Sequence, residues 1–279
     1  FEDEHLLLIN KPSGLLSLSG KNPQNLDSVH HRLVQDYPGC TLVHRLDFGT
    51  SGLMVVARDK GINGMLCQQF SQRAVSKAYD ALLCGHLADD EGVIEAPIAK
   101  DPAIFPLMKI CASGKPARSR YRVVERLVRE GARGEPLPLT RVSLVPETGR
   151  THQLRIHSQL LGHPILGCDL YGGLELPGCE QAPRLMLHAS ALDFVHPVSG
   201  EPIRCSAPVP ADMQRLMTLL RQDAAAHAEA ERQRIRAEEQ AKAQAEAQAA
   251  REAQAQQAIQ QAAEPAAAPA DTMAAAPAA

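Results

Sequence analysis

The sequence lacks any apolar run that approaches the length of a membrane span, and its first residues are acidic where a secretory signal would be basic. We therefore expect no membrane span and no secretory leader. The chain begins at Phe1 rather than at a methionine, which leaves room for residues upstream. A cytoplasmic protein with no membrane partner is the expectation that follows.

Metal and redox motifs are also missing. The seven cysteines are odd in number and scattered, with no C-x-x-C pair, which predicts free thiols in a reducing compartment rather than a zinc ribbon. Five histidines lie between residues 152 and 196, but none has the H-E-x-x-H spacing of a metal helix. We expect no metal site.

The net charge of −3 conceals two unlike parts of the chain. Residues 223–279 carry nine acids and five bases, so residues 1–222 hold 24 bases against 23 acids. A nearly neutral body can still bind a polyanionic partner through a local basic cleft, because binding depends on where the charges lie. The candidates for such a cleft are Lys11, Arg45, Arg73, Lys77, Lys109, Lys115, Arg118, Arg120, Arg150 and Arg155.

Strand patterns outnumber helix patterns in residues 1–222 and often follow one another directly. Strands are predicted near residues 6–10, 53–57, 75–87, 119–126, 141–145 and 192–195, and helices near 26–34, 62–70, 151–161 and 213–220. This order predicts an α+β fold with a mixed, mainly antiparallel sheet and flanking helices.

The chain changes character after residue 222. Residues 223–263 are rich in Ala, Gln, Glu and Arg without an apolar seam, which predicts a helical or partly disordered extension. Residues 264–279 contain three prolines and are expected to be a disordered tail. We expect the whole chain to be a monomer.

One short segment carries the strongest chemical signal. Asp47 lies between Arg45 and a Gly/Ser turn, immediately before the apolar run 53–57. This places a carboxylate on a loop at the edge of a core, and a neighbouring arginine favours its ionised form. Such a group suits a nucleophile or a general base, although a turn cap with a surface ion pair is an equally good interpretation of these local features.

The segment His44-Arg45-Leu46-Asp47-x-x-Thr50-Ser51-Gly52 resembles the signature of the RluA-type RNA pseudouridine synthases. Further segments match the family in its order over about residues 1–210. They are Asn10-Lys11-Pro12-Ser13-Gly14, Lys77-Ala78-Tyr79-Asp80-Ala81, Gly149 to His157 (GRTHQLRIH), Leu161 to Gly167 (LGHPILG) and Leu187-His188-Ala189. The resemblance implies a sheet with a central catalytic cleft, in which uridine in RNA is isomerised to pseudouridine without a cofactor.

The resemblance also implies roles for particular residues. Asp47 matches the catalytic aspartate, Tyr79 the active-site tyrosine, and Arg155 the basic residue that pairs with the aspartate. Asp47 would either attack C1′ or help to remove a proton from C2′. The substrate-binding candidates are Arg45, which would fill the gap left by the flipped nucleotide, Leu154, which would pack on the base, and Lys11 and Arg150 as phosphate or structural contacts.

One departure from the family concerns the segment after LGHPILG. The family has Gly-Asp-x-x-Tyr-Gly there, whereas this chain has Cys168 in place of the aspartate, followed by Asp169. We expect Asp169 to take the place of the missing aspartate from the next position.

The expected substrate is structured RNA. Gly114-Lys115-Pro116-Ala117 and Tyr121 to Glu125 resemble the subgroup that modifies both ribosomal RNA and a tRNA stem-loop. Two other functions remain open at this point: a non-catalytic RNA-binding or chaperone module on the same fold, and a metal-dependent phosphodiesterase.

Overall fold

A computed structural model describes residues 1–130, 136–171 and 182–263 of the chain. Its strands are β1 (Leu6–Lys11), β2 (Thr41–Leu42), β3 (Ser51–Ala57), β4 (Ser76–Cys84), β5 (Glu91–Glu95), β6 (Ile98–Lys100), β7 (Met108–Ile110), β8 (Arg118–Glu130), β9 (Pro136–Pro146), β10 (Leu187–Val195) and β11 (Pro202–Ser206). Its α-helices are α1 (Val29–Asp36), α2 (Lys60–Ser71), α3 (Gln153–Leu160) and α4 (Ala211–Ala263).

In the described residues, nine strands form one sheet in the order β1-β3-β10-β4-β9-β8-β5, with β11 beside β10 and β2 beside β3. All neighbours in this sheet are antiparallel except β3 and β10, which run parallel. The predicted α+β class with a mixed, mainly antiparallel sheet is confirmed. The predicted strands and helices are all present, but the sequence patterns missed β2, β5, β6, β7 and β11.

The central strand β3 is buried along its whole length, as its continuous apolar run predicted. Alternate side chains point to opposite faces of the sheet. Val55 packs with Ile62 and Leu66 of α2 on one face, whereas Val56 packs towards α1 on the other. The strand is therefore a rigid support for the loop that precedes it.

The two helices beside β3 begin at side-chain caps. The Ser28 hydroxyl accepts the His31 N–H at 3.0 Å at the start of α1, and the Asp59 carboxylate accepts the Ile62 N–H at 2.9 Å at the start of α2. Such caps satisfy backbone donors that the first helical turn leaves free. The caps fix where each helix starts relative to the sheet.

The chain divides into two compact units, Phe1–Ala225 and Ala226–Ala279. In the first unit, the start of α4 contributes Met213, Met217 and Leu220 to the main hydrophobic core. In the second unit, residues 226–263 continue as helix, and residues 228–256 are exposed. The predicted tail 264–279 lies outside the described residues. No helix of the described residues is long and apolar enough to cross a membrane.

Cysteine pairing differs in part from expectation. Cys40, Cys67, Cys111, Cys168 and Cys205 are free thiols, but Cys84 at the end of β4 is disulfide-bonded. Scattered cysteines carry no spacing signal for such a bond, so the expectation that all seven are free was wrong.

Candidate active site

Asp47 lies on the loop between β2 and β3, and its side chain is 29% exposed. The loop is held by hydrogen bonds from the segment that follows β1. The Ser17 hydroxyl donates to the Leu46 carbonyl at 2.7 Å, the Ser13 hydroxyl donates to the Gly49 carbonyl at 2.7 Å, and the Gly14 N–H donates to the Phe48 carbonyl at 2.9 Å. These bonds bracket Asp47 on both sides and leave its carboxylate at the surface of the core.

Lys11 fastens the same loop from within the core. Its side chain is 1% exposed, and its ammonium donates to the carbonyls of Pro12 at 2.9 Å, Leu15 at 2.8 Å and Phe48 at 3.4 Å. Burial lowers the pKa of Lys11 to about 8, although the nearby Asp47 charge opposes this. Of the two roles expected for Lys11, this geometry supports the structural one.

The sheet register brings Tyr79 to the same place. Tyr79 of β4 pairs with Ala189 of β10, which pairs in turn with Gly52 of β3. The Tyr79 ring packs against Leu46, Met54 and Ala189. Burial, reinforced by the charge of Asp47, raises the pKa of the phenol, so the hydroxyl stays protonated.

Gly52 is needed for this arrangement. Its φ is +118°, which L side chains rarely adopt, and a Cβ there would meet the backbone of Ala189 at 2.5 Å from the nitrogen and 2.7 Å from Cα. Next to it, the Ser51 hydroxyl lies 3.0 Å from Nδ1 of His188. The small residues allow β10 to lie close beside β3, between Asp47 and Tyr79.

His152 and Tyr171 form a second wall of the site. Nε2 of His152 lies 4.0 Å from the Asp47 carboxylate, and Nδ1 lies 2.8 Å from the Tyr171 hydroxyl. The backbone of His152 has φ +56° and immediately precedes α3. Burial lowers the pKa of His152, while Asp47 opposes this shift and Arg155 adds to it. The sequence analysis did not single out either residue for this role.

Arg155 is 4% exposed and projects from α3 into the same region. Its guanidinium donates to the Cys168 sulfur from Nε at 3.4 Å and from Nη2 at 3.3 Å, and it forms an ion pair with Asp169. Burial disfavours the charged guanidinium, but Cys168, Asp169 and Asp47 together raise the pKa of Arg155 above its usual value. The expected direct pair with Asp47 is thus replaced by a pair with Asp169, and Asp47 acts on Arg155 only through its charge.

The remaining predicted residues are Arg45, Leu154 and Arg150. Arg45 is exposed on the loop before Asp47. Leu154 is buried in the main core, which does not fit the expected contact with a base. Arg150 donates from Nε to the Pro116 carbonyl at 3.0 Å, so it tethers a neighbouring loop and favours the structural alternative.

His44 is a structural member of the Asp47 loop. Its Nε2 accepts the Val55 N–H at 3.1 Å, and its ring stacks on Phe70 with centroids 4.8 Å apart. Burial, with a smaller effect from the Lys77 charge, lowers the pKa of His44 to about 3, so the ring is neutral near pH 7. A neutral imidazole is required, because the protonated ring could not accept the Val55 N–H.

Comparison with known proteins agrees with this geometry. A family model described as RNA pseudouridylate synthase matches residues 5–160, which is more than half of the chain. The chain belongs to this family. It is 44% identical over 210 residues to the dual-specificity RNA pseudouridine synthase RluA of Yersinia pestis, covering 74% of this chain and 97% of that protein. The corresponding protein of Escherichia coli strain K12 is 43% identical over 209 residues, with coverages of 75% and 91%.

Solved structures agree with the pseudouridine synthase fold. The human RNA pseudouridylate synthase domain containing 1 is 29% identical, with a TM-score of 0.63, and the match covers 79% of this chain and 93% of that one. The human domain containing 4 is 25% identical with a TM-score of 0.61, and coverages of 79% and 92%. The chain is therefore an RNA pseudouridine synthase, and hence an isomerase, with the fold that the sequence resemblance implied.

The residues of this pseudouridine synthase site come from three separate segments of the chain. The β2–β3 loop gives Asp47, β4 gives Tyr79, and the start of α3 gives His152 and Arg155. In the described residues, no group of three or more His, Cys, Asp or Glu side chains is placed to hold a metal ion. The site therefore combines the partly exposed carboxylate of Asp47, the protonated phenol of Tyr79 and the buried guanidinium of Arg155.

Proposed function

We propose that this pseudouridine synthase acts on structured RNA in the cytoplasm, as a monomer, and that it modifies uridines in both ribosomal RNA and a tRNA stem-loop. The support for two RNA classes is that the curated relatives covered over most of their length are named as dual-specificity enzymes. Ribosomal RNA and tRNA are cytoplasmic in bacteria, which supports the location.

We assign the nucleophilic carboxylate to Asp47. The observation that carries this assignment is the position of its side chain, partly exposed on a firmly held loop and sensed electrostatically by Tyr79, His152 and Arg155. The target uridine must leave its stack to reach this carboxylate, at a cost of a few kcal/mol. We assign the filling of the space that the nucleotide vacates to Arg45, which is exposed two residues earlier.

The proposed reaction is an isomerisation, and it needs no cofactor. The N1–C1′ bond breaks, the uracil turns, a new C5–C1′ bond forms, N1 gains a proton, and the proton on C5 is released. Asp47 either attacks C1′ and is later displaced, or accepts a proton from C2′ and returns it. Tyr79 packs under the base and offers its protonated hydroxyl for proton transfer, while the Arg155 guanidinium interacts electrostatically with the Asp47 carboxylate.

Release of tritium from RNA labelled at uridine C5 tests the proposal, because one proton leaves C5 in each turnover. Wild type and Asp47→Asn are compared on total tRNA and on ribosomal RNA. Asp36→Asn, the same change on an exposed carboxylate at the end of α1, is the matched control.

We expect release by wild type and Asp36→Asn from both RNA classes, and none by Asp47→Asn, whose RNA affinity stays within about tenfold since phosphate contacts supply most of it. Release from one class alone would remove the dual specificity. Turnover by Asp47→Asn, or a loss of its binding as large as its loss of turnover, would remove the assignment of Asp47.

A further inference from the structure

A two-stranded hairpin stands apart from the main sheet. It consists of β6, the turn 101–107 and β7, whose strands form a separate two-stranded sheet, and Ile98 of β6 also bridges to Lys115. The turn is ordered by its own bonds: the Asp101 N–H donates to the Leu107 carbonyl at 2.9 Å, and the Leu107 N–H donates to the Ile104 carbonyl at 2.9 Å. The Ala103 N–H donates to the Asp101 carboxylate at 3.0 Å. The tip therefore has a defined shape before any partner binds.

The tip presents an apolar surface to solvent. Phe105 is 96% exposed and Ile104 is 56% exposed. The chain has only five phenylalanines, and this one buries almost nothing. A single exposed apolar residue needs no explanation, but a fully exposed aromatic ring on a preformed turn presents both of its faces for stacking.

The residues around the tip carry a net positive charge, which favours an anionic partner. Lys100, Lys109 and Lys115 are all exposed on or beside the hairpin, against the single acid Asp101 in residues 97–115. Asp101 lies 4.0 Å from the Lys109 ammonium, so it neutralises at most one of the three cations. An aromatic platform among cations is the combination that binds single-stranded nucleic acid, whose bases stack while its phosphates pair with lysine.

Hydrogen bonds connect the hairpin to the candidate active site. The Met108 N–H of β7 donates to the Tyr171 hydroxyl at 2.8 Å, and this hydroxyl lies 2.8 Å from His152, the neighbour of Asp47. Phe105 is three residues from Met108, a span of at most about 10 Å. An RNA whose target nucleotide reaches Asp47 therefore passes close to the tip.

We propose that this hairpin binds the substrate RNA next to the target uridine, with Phe105 stacked on an unpaired base and the three lysines on phosphates. The inference rests on the proposed function for its substrate, an RNA with an unpaired loop. It adds a specificity element, because stacking requires a base that is out of a duplex, so the tip favours loops over paired stems.

Binding is measured with the turnover-deficient Asp47→Asn protein and a fluorescent RNA stem-loop with uridines in its loop. A fully paired duplex of the same stem is the competitor. Phe105→Ala is expected to weaken stem-loop binding about tenfold and duplex binding by no more than about twofold, since stacking on an aromatic ring contributes about that much per base. Phe105→Tyr keeps the ring and is expected to bind like the parent.

Two further variants separate the ring from its surroundings. Phe105→Leu keeps apolar area without a π face and is expected to bind like Phe105→Ala. Val198→Ala, at another exposed apolar position, is expected to leave stem-loop and duplex binding unchanged.

The lysines are tested by the salt dependence of binding. Replacing Lys100, Lys109 or Lys115 by Ala is expected to reduce the slope of log affinity against log salt by about 0.7 each.

Unchanged stem-loop binding by Phe105→Ala would overturn the proposal, and so would a loss that Phe105→Leu restores, which would indicate an apolar protein partner instead. Tritium release by the wild type is measured in parallel. If the wild type releases tritium but Phe105→Ala binds the stem-loop unchanged, the role of the hairpin is refuted and the proposed function stands. If binding depends on Phe105 but no tritium is released, the proposed turnover is refuted and the role of the hairpin in binding stands.

Discussion

The buried ammonium of Lys11 makes a quantitative prediction about stability. Burial lowers its pKa from the ordinary 10.5 to about 8 in the folded protein. Between these two pH values the unfolded chain binds more protons at this residue than the folded chain, so the free energy of unfolding rises with pH. At 1.36 kcal/mol per pKa unit, the rise is about 3 kcal/mol from pH 8 to pH 10.5.

Lys11→Met isolates this effect, because methionine is unbranched and apolar but cannot titrate. Near pH 7 the variant has two opposing changes. It loses the bonds to the exposed Pro12 and Phe48 and to the buried Leu15, whose carbonyl is left without its donor at a cost of about 1–3 kcal/mol. It also removes a buried charge whose cost is about 3 kcal/mol. These two effects on the free energy of unfolding are similar in size and opposite in sign, so they largely cancel at pH 7. The pH dependence of the stability, in contrast, has a definite sign.

The assay is urea denaturation of wild type and Lys11→Met from pH 7 to pH 10.5. We expect the stability of wild type relative to the variant to be constant well below pH 8 and to rise by about 3 kcal/mol towards pH 10.5. Tyrosines and exposed lysines titrate in both proteins and cancel in the comparison. If the stability difference between wild type and Lys11→Met stays constant or falls with increasing pH, burial does not lower the pKa of Lys11 and the reasoning is refuted.

Substitutions at three more positions test other parts of the site. Tyr79→Phe is expected to lower the rate of tritium release without lowering the unfolding midpoint, and full activity would remove the hydroxyl from the mechanism. Cys168→Ala is expected to lower kcat while RNA affinity is kept, because Arg155 loses the acceptor of two donated bonds, and Cys168→Asp is expected to restore the rate; equal activity of all three proteins would show that this contact does not position Arg155. Gly52→Ala is expected to destabilise the fold by more than 1 kcal/mol, through its positive φ and its clash with Ala189, and a circular dichroism melt that matches wild type would contradict this.

Much of the fold could be predicted from local patterns. The continuous apolar run of β3 and the helical spacing of α2 mark themselves in the sequence because their side chains are buried with fixed periods. The short strands β2, β5, β6, β7 and β11 were missed because two to five residues hold too few periods. The parallel insertion of β10 between β3 and β4 depends on pairing between distant segments, which no local pattern encodes.

The site shows the same division. Asp47 and Tyr79 were predicted from motifs, and the sheet register explains their proximity. The role of His152 depends on a left-handed backbone and on a hydroxyl far along the chain, so its presence within the GRTHQ motif was the only available signal. The partner of Arg155 was predicted as Asp47 but lies in the departing segment at Cys168 and Asp169, because tertiary contacts decide which acceptor a buried guanidinium meets.

The close contact between β3 and β10 also constrains when the enzyme becomes active during synthesis. Ser51 and His188 are 137 residues apart in the chain but lie 3.0 Å apart across this contact. Closing such a long loop carries an entropic cost that local structure does not repay, so the pairing forms late in folding. A nascent chain that ends before β10 contains Asp47, Tyr79 and Arg155 without the strand that lies between the first two. We therefore expect turnover to begin only after β10 has paired with β3 and β4.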